Sequence, residues 1–117
     1  VTRRGEKRNA SLQIRNSQLE REQLELGLKA DLSNLWQAYR NNLRLLNLER
    51  QNLVAARENH EIAKERYLLG DLSGIEMREA QKSLLDAEER ILSAEYNTKV
   101  CEISLLQLSG RITKYLE

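Results

Sequence analysis

The chain has 117 residues and a formal net charge of +1, with 32% charged residues, 4% aromatics and neither proline nor phenylalanine. So even a balance gives no long-range field toward nucleic acid, a membrane surface or an acidic partner, and the Leu, Glu, Arg, Gln, Asn and Ala vocabulary belongs to long helices rather than sheets. A single cysteine excludes an intrachain disulfide, and no run of about 18 apolar residues is present to cross a bilayer as a helix.

The opening, VTRRGEKRN, has no initiating methionine and no signal-peptide pattern, and it reads as the middle of a longer polypeptide. Arg3, Arg4, Lys7 and Arg8 lack interleaved aromatics, so a solvated helix start outweighs a contact with phosphates or lipid headgroups. The first predicted arm is a helix over about 6–68. From Leu28 its apolar positions repeat every seven residues. One line runs through Leu32, Tyr39, Leu46, Leu53, His60 and Tyr67, the other through Leu28, Leu35, Asn42, Glu49, Ala56 and Ala63. Alternating steps of three and four are the seam of a coiled coil.

A tip turn over 69–75 follows. Gly70 is placed to be the left-handed residue that ends the first helix, and Ser73 with Glu76 forms a capping box that starts the second. The second arm is predicted over about 76–109, with lines Ala80, Ala87, Ala94, Cys101, Leu108 and Leu84, Ile91, Thr98, Leu105, Ile112. Gly110 is its expected stop, leaving a tail over 110–117.

The arms fit one another in antiparallel register. Ala63 faces Ala80, Ala56 faces Ala87, Leu53 faces Ile91, Tyr39 faces Leu105 and Leu35 faces Leu108, each pair of numbers adding to 143 or 144. Half of that falls inside the tip turn. The fold class expected is all-α: one long antiparallel helical hairpin with unequal arms. Leu12, Leu19, Leu24 and Leu26 on the longer arm have no partner, and Leu48, Ala55, Ile62 and Leu85, Leu92, Leu106 lie beside the seam. The hairpin is therefore expected to be a slice of a larger helical barrel or array.

Chemistry-bearing constellations are absent from the pattern. His60 and Cys101 stand 41 positions apart with no zinc or haem spacing, and both fall on seam lines, His60 opposite Leu84. Glu88 and Glu89 are sequence neighbours that diverge by about 100° on a helix and make no acid–base couple. Asn42 and Glu49 are polar seam residues, read as register-setting or partly exposed, or as facing a wet lumen or another subunit. Glu25 with Lys29, Asp86 with Arg90 and Glu95 with Lys99 are expected i,i+4 pairs on solvated faces. No phosphate loop is found; the expectation is no enzyme, no cofactor and no metal.

The stretch RYLLGDLSGIEMREAQKSLLDAEERILSAEYNTKVCEISLLQLSG carries a resemblance. Arg66, Tyr67, Gly70, Ser73, the acid Glu76, then Ala80, Gln81 and Leu84, closing on Gly110, resemble the repeat of TolC-like outer-membrane efflux proteins. GEKRNA followed by a long Leu-, Ala- and Glu-rich helix is similar to the segment that follows the membrane strands in each repeat of that family, so the likeness covers nearly the whole chain. Glu76 stands where the family usually has Asp, and Met77 and Arg78 where aliphatics are common.

The resemblance implies a homotrimeric conduit whose β-barrel, not contained in this chain, sits in the bacterial outer membrane. The helical hairpins then form a periplasmic barrel. Arg66, Tyr67, Gly70, Asp71, Leu72, Ser73 and Glu76 would form a tip that gates the channel and meets a periplasmic adaptor, and through it an inner-membrane pump. Exposed Asp71 and Leu72 are the expected contact surface. Two other readings share the hairpin pattern: the coiled-coil hairpin of a periplasmic adaptor, and a coiled-coil scaffold unrelated to transport.

Overall fold

The structure, a computed structural model, describes residues 2–116 and consists of α1 (Thr2–Leu68) and α2 (Gly74–Leu116). Val1 and Glu117, at the two ends of the sequence ranges above, lie outside the described residues. The helices form an antiparallel hairpin of 101 × 24 × 14 Å. Its thinnest dimension is that of a single helix with its side chains. One layer of two helices has no interior in the usual sense, and among the described residues no large side chain is fully buried.

Burial follows the seam. Among the described residues the buried apolar ones are Leu46, Leu53, Ala87, Ala94 and Leu108, all on seam lines, and Met77, which stands one heptad before Leu84. Leu28, Leu32, Leu35, Tyr39, Ala56, His60, Ala63 on α1 and Ala80, Leu84, Ile91, Cys101, Leu105, Ile112 on α2 are half-buried. Ala87 and Ala94 are the most enclosed of the set, at 0% and 2% exposure. A methyl side chain leaves the facing helix close enough to cover it completely, whereas a Leu layer holds the axes apart and keeps an edge wet. Asn42 and Cys101, whose numbers also add to 143, meet at 3.2 Å across the seam and place the register where the pairing rule puts it.

Three element ends and one seam position differ from expectation. Helix α1 is already formed at Thr2, not near Glu6, because nothing in RRGEKRN breaks it. Helix α2 starts at Gly74, the residue directly after the Ser73 cap, rather than at Glu76. Tyr67, placed on the seam line, is exposed.

The fourth difference is Gly110, which does not stop α2: the helix continues to Leu116 and φ is positive only at Gly70 among the glycines. The reason lies beyond the glycine. Ile112 and Tyr115 continue the seam; the Tyr115 hydroxyl donates to the Arg21 carbonyl at 3.5 Å, and the Arg21 guanidinium lies 5.8 Å from the centroid of that ring. Contact between the helices thus reaches Arg21, about two turns beyond Leu28. Residues 2–20 of α1 project past it with Leu12, Ile14 and Leu19 exposed.

Because Gly110 is helical and a Cβ built on it meets nothing within 4 Å, Gly110→Ala should stabilise the hairpin by about 0.5–1 kcal/mol. Urea denaturation checks the sign. A loss of stability would mean that Gly110 holds a left-handed cap after all.

Candidate functional site

The tip is built from its backbone bonds. The Gly70 amide donates to the Tyr67 carbonyl at 3.1 Å and the Asp71 amide to the Arg66 carbonyl at 2.8 Å, with Gly70 at φ 77°. Those two bonds and the left-handed residue are a Schellman motif, with Gly70 just past the cap. Such a motif usually adds an apolar contact between the residues bonded at its ends. Here the same two residues, Arg66 and Asp71, instead form an ion pair at 3.3 Å, and Arg66 also donates to the Asp71 carbonyl at 3.4 Å. Both side chains are well exposed, so the pair adds little energy and serves to hold the turn's shape.

On the other side of the turn the Ser73 hydroxyl accepts from the Glu76 amide at 3.2 Å, and the Ser73 carbonyl takes the first helical bond from Met77 at 3.0 Å. The return half of the predicted capping box, from the Ser73 amide to the Glu76 carboxylate, is not among the hydrogen bonds of the described residues. Glu76 remains exposed in the first turn, where its charge favours the helix N-terminus.

Of the seven tip residues named from sequence, Arg66, Gly70, Asp71, Ser73 and Glu76 form this bonded turn, and Tyr67 lends it a carbonyl. Leu72 departs from expectation. It is half-buried rather than exposed, and Met77, one turn later, is buried. The apolar surface at the tip comes instead from residues that sequence reasoning passed over: Leu68 at 75%, Leu69 at 84% and Ile75 at 72% exposure. Their signal was the cap itself, since residues flanking a Schellman glycine and the first residues after an N-cap have no facing helix to cover them.

Higher up the hairpin the polar seam residues are paired. Glu49 is 7% exposed, and its carboxylate accepts from Arg90 Nε at 3.0 Å. This pairing overturns the expected Asp86–Arg90 pair: a carboxylate inside the seam gains more from the guanidinium than one on the outer face does. Lys99 likewise pairs with Glu102, at 3.5 Å, and not with Glu95. One layer above, the Asn42 amide donates to the Ala38 carbonyl at 2.9 Å and to Cys101 Sγ, while the buried Thr98 hydroxyl lies 2.7 Å from the Ala94 carbonyl and 3.3 Å from that of Asn42. No buried side-chain polar atom among the described residues lacks a partner. Asn42 and Glu49 thus face the opposite arm, the register-setting reading of the two, and not a lumen.

Outside the seam each helix keeps a second apolar stripe. Leu48, Ala55 and Ile62 on α1, and Leu85, Leu92 and Leu106 on α2, are exposed. On an ideal wheel each stripe lies roughly 130° around from the seam. A hairpin edge also carries opposite charges at flanking positions, Arg50, Arg57 and Lys64 on α1 and Glu88, Glu95 and Glu102 on α2, which antiparallel packing brings to the same flank. Some surface recesses are grooves between the arms, such as that bordered by Asp31, Leu35, Gln107 and Arg111, and others lie along α1 alone, such as that lined by Ala10, Ile14 and Arg21. Among the described residues no three metal-ligating side chains converge, and no helix is long and apolar enough to cross a membrane. No family model, no curated protein and no solved structure matches the chain.

Gly70→Ala should cost about 1–2 kcal/mol, because an L side chain is strained at positive φ even with open space around it. Arg66→Ala, losing only the exposed ion pair, should cost less than about 1 kcal/mol. Thermal unfolding of the two variants side by side checks the order. In the seam, Arg90→Ala leaves Glu49 without its partner and should cost about 1–3 kcal/mol; Asp86→Ala, an acid outside that pair, should be close to neutral.

Proposed function

We propose that this hairpin is the periplasmic helical part of a TolC-like outer-membrane efflux or secretion channel, its tip docking on the periplasmic adaptor of a tripartite export system and shaping the channel's gate. The observation that carries this reading is the tip: a turn fixed by a Schellman motif and a serine cap holds Leu68, Leu69 and Ile75 bare at the end of a rod about 100 Å long. Exposed apolar groups on a rigid turn form an interaction surface with little ordering entropy left to lose. The bend motif and the unequal arms support the same reading. So does the second stripe on α1, Leu48, Ala55 and Ile62, since a helix with two apolar faces suits a wall with a neighbour beyond its hairpin partner.

In this reading no bond is made or broken by the chain. Substrates pass through a lumen formed by several such hairpins as a homotrimer, and adaptor contacts shift the tips between closed and open packings. Membrane attachment belongs to a β-barrel elsewhere in the longer polypeptide, and this part lies in the periplasm. The inner-membrane pump is reached only through the adaptor.

The test is made in that longer protein. Leu69→Asp combined with Ile75→Asp should leave expression and helicity unchanged while abolishing co-purification of the adaptor and reducing export at least about tenfold. Export and assembly at wild-type levels would reduce the tip to a structural turn. Leu72→Asp is the weaker probe, because a half-buried residue reports on folding as well as docking.

A further inference from the structure

The stripe on the outer side of α2 is a second seam in its own right. Leu85, Leu92 and Leu106 form one line with Lys99, and Glu89, Tyr96 and Ile103 form the other, with steps alternating between four and three. Its apolar members are all exposed, Tyr96 at 70%. Only Glu89 and Lys99 interrupt it.

From these positions we infer that α2 pairs with α2 of a second copy of this chain, antiparallel, about a twofold axis level with Ala94. In that register Leu85 faces Ile103 of the second copy, Leu92 faces Tyr96, and Glu89 faces Lys99; the axis repeats each layer on its other side. From Leu85 to Ile103 apolar residues meet apolar residues, and the two interruptions fall opposite one another with opposite charge; Leu106 lies beyond this paired span, opposite Lys82 of the second copy. The register is specific. A slip of one heptad in one direction sets Glu89 on Leu92 and Lys99 on Lys82, and a slip in the other sets Glu89 on Leu106 and leaves Leu85 on Gly110.

Self-complementarity under a twofold axis is what an isologous interface requires. The six facing positions from Leu85 to Ile103 cover about five turns of each helix, a contact on the order of 1,000 Å², the lower end of specific interfaces. The pair is therefore a weak dimer and not an obligate one. Glu88, Glu95 and Glu102 border the stripe on the side toward α1, where Arg50 and Arg57 oppose them within the same hairpin and reduce the repulsion between copies. This inference does not rest on the channel reading; it needs only the α2 stripe.

Sedimentation equilibrium of the 117-residue chain tests it. The chain should dimerise in the micromolar range, and Glu89→Lys or Lys99→Glu alone should weaken the dimer about tenfold with unchanged circular dichroism. The double variant Glu89→Lys with Lys99→Glu restores the facing pair, and it should return to within about threefold of the parent. Leu92→Glu should give a monomer, whereas Leu48→Glu on the α1 stripe should leave the dimer intact. A chain that stays monomeric, a dimer indifferent to the single charge changes, a double variant no better than the singles, or a dimer broken by Leu48→Glu would each overturn the inference. None of those results bears on adaptor docking by Leu69 and Ile75.

Discussion

Everything in this molecule depends on one seam being in one register. A hairpin that is a single helix thick has no second layer to correct a slipped arm, so the line of contacts between α1 and α2 must carry stability and specificity together. The two tasks are divided along its length. Apolar layers such as Leu46, Leu53 and Leu108 supply burial, and small layers around Ala87 and Ala94 let the helices approach. Neither kind distinguishes one heptad register from the next. The polar layers do, because a shift by seven residues takes Arg90 away from Glu49 and the Asn42 amide away from Cys101, leaving buried polar atoms without partners.

The tip is the consequence of that register at its closed end. With the arms fixed, the chain has only the residues between Leu68 and Gly74 in which to reverse, and a glycine at positive φ followed by a serine cap does so with its backbone groups bonded. What the turn leaves uncovered follows from the same geometry. Leu72 and Met77 turn toward the hairpin; Leu68, Leu69 and Ile75 do not. A seam that demands register therefore yields a tip with a fixed apolar face, and the proposed docking role starts from that face.

Much of this was legible in the sequence, for an identifiable reason. A seven-residue period, a glycine placed to cap and a serine three residues before an acid are local patterns whose physics does not depend on the rest of the fold. The seam lines, Gly70 and Ser73 accordingly stand where the pattern puts them. What could not be read was competition between alternatives. Gly110 reads as a stop until Tyr115 is seen to reach Arg21 and keep the helix going. Arg90 has an acid four residues away, yet turns to Glu49 across the seam. Arg66, Gly70, Asp71, Ser73 and Glu76 meet in one bonded turn, but the burial of Leu72 depends on how the turn lies over Met77, and no period describes that. The opposed charges of Arg50 and Arg57 and of Glu88 and Glu95 were visible as heptad flanks once the seam had been assigned, and they reinforce the antiparallel choice.

The seam's register can be tested by a bond that only the right register allows. Asn42→Cys places a second thiol opposite Cys101, where the native side chains already stand 3.2 Å apart. Under mild oxidation at high dilution, the account predicts a disulfide within each chain, formed to completion and raising the unfolding temperature, with mass spectrometry placing the link between residues 42 and 101. Thiols that remain free, or that link only between copies, would contradict it.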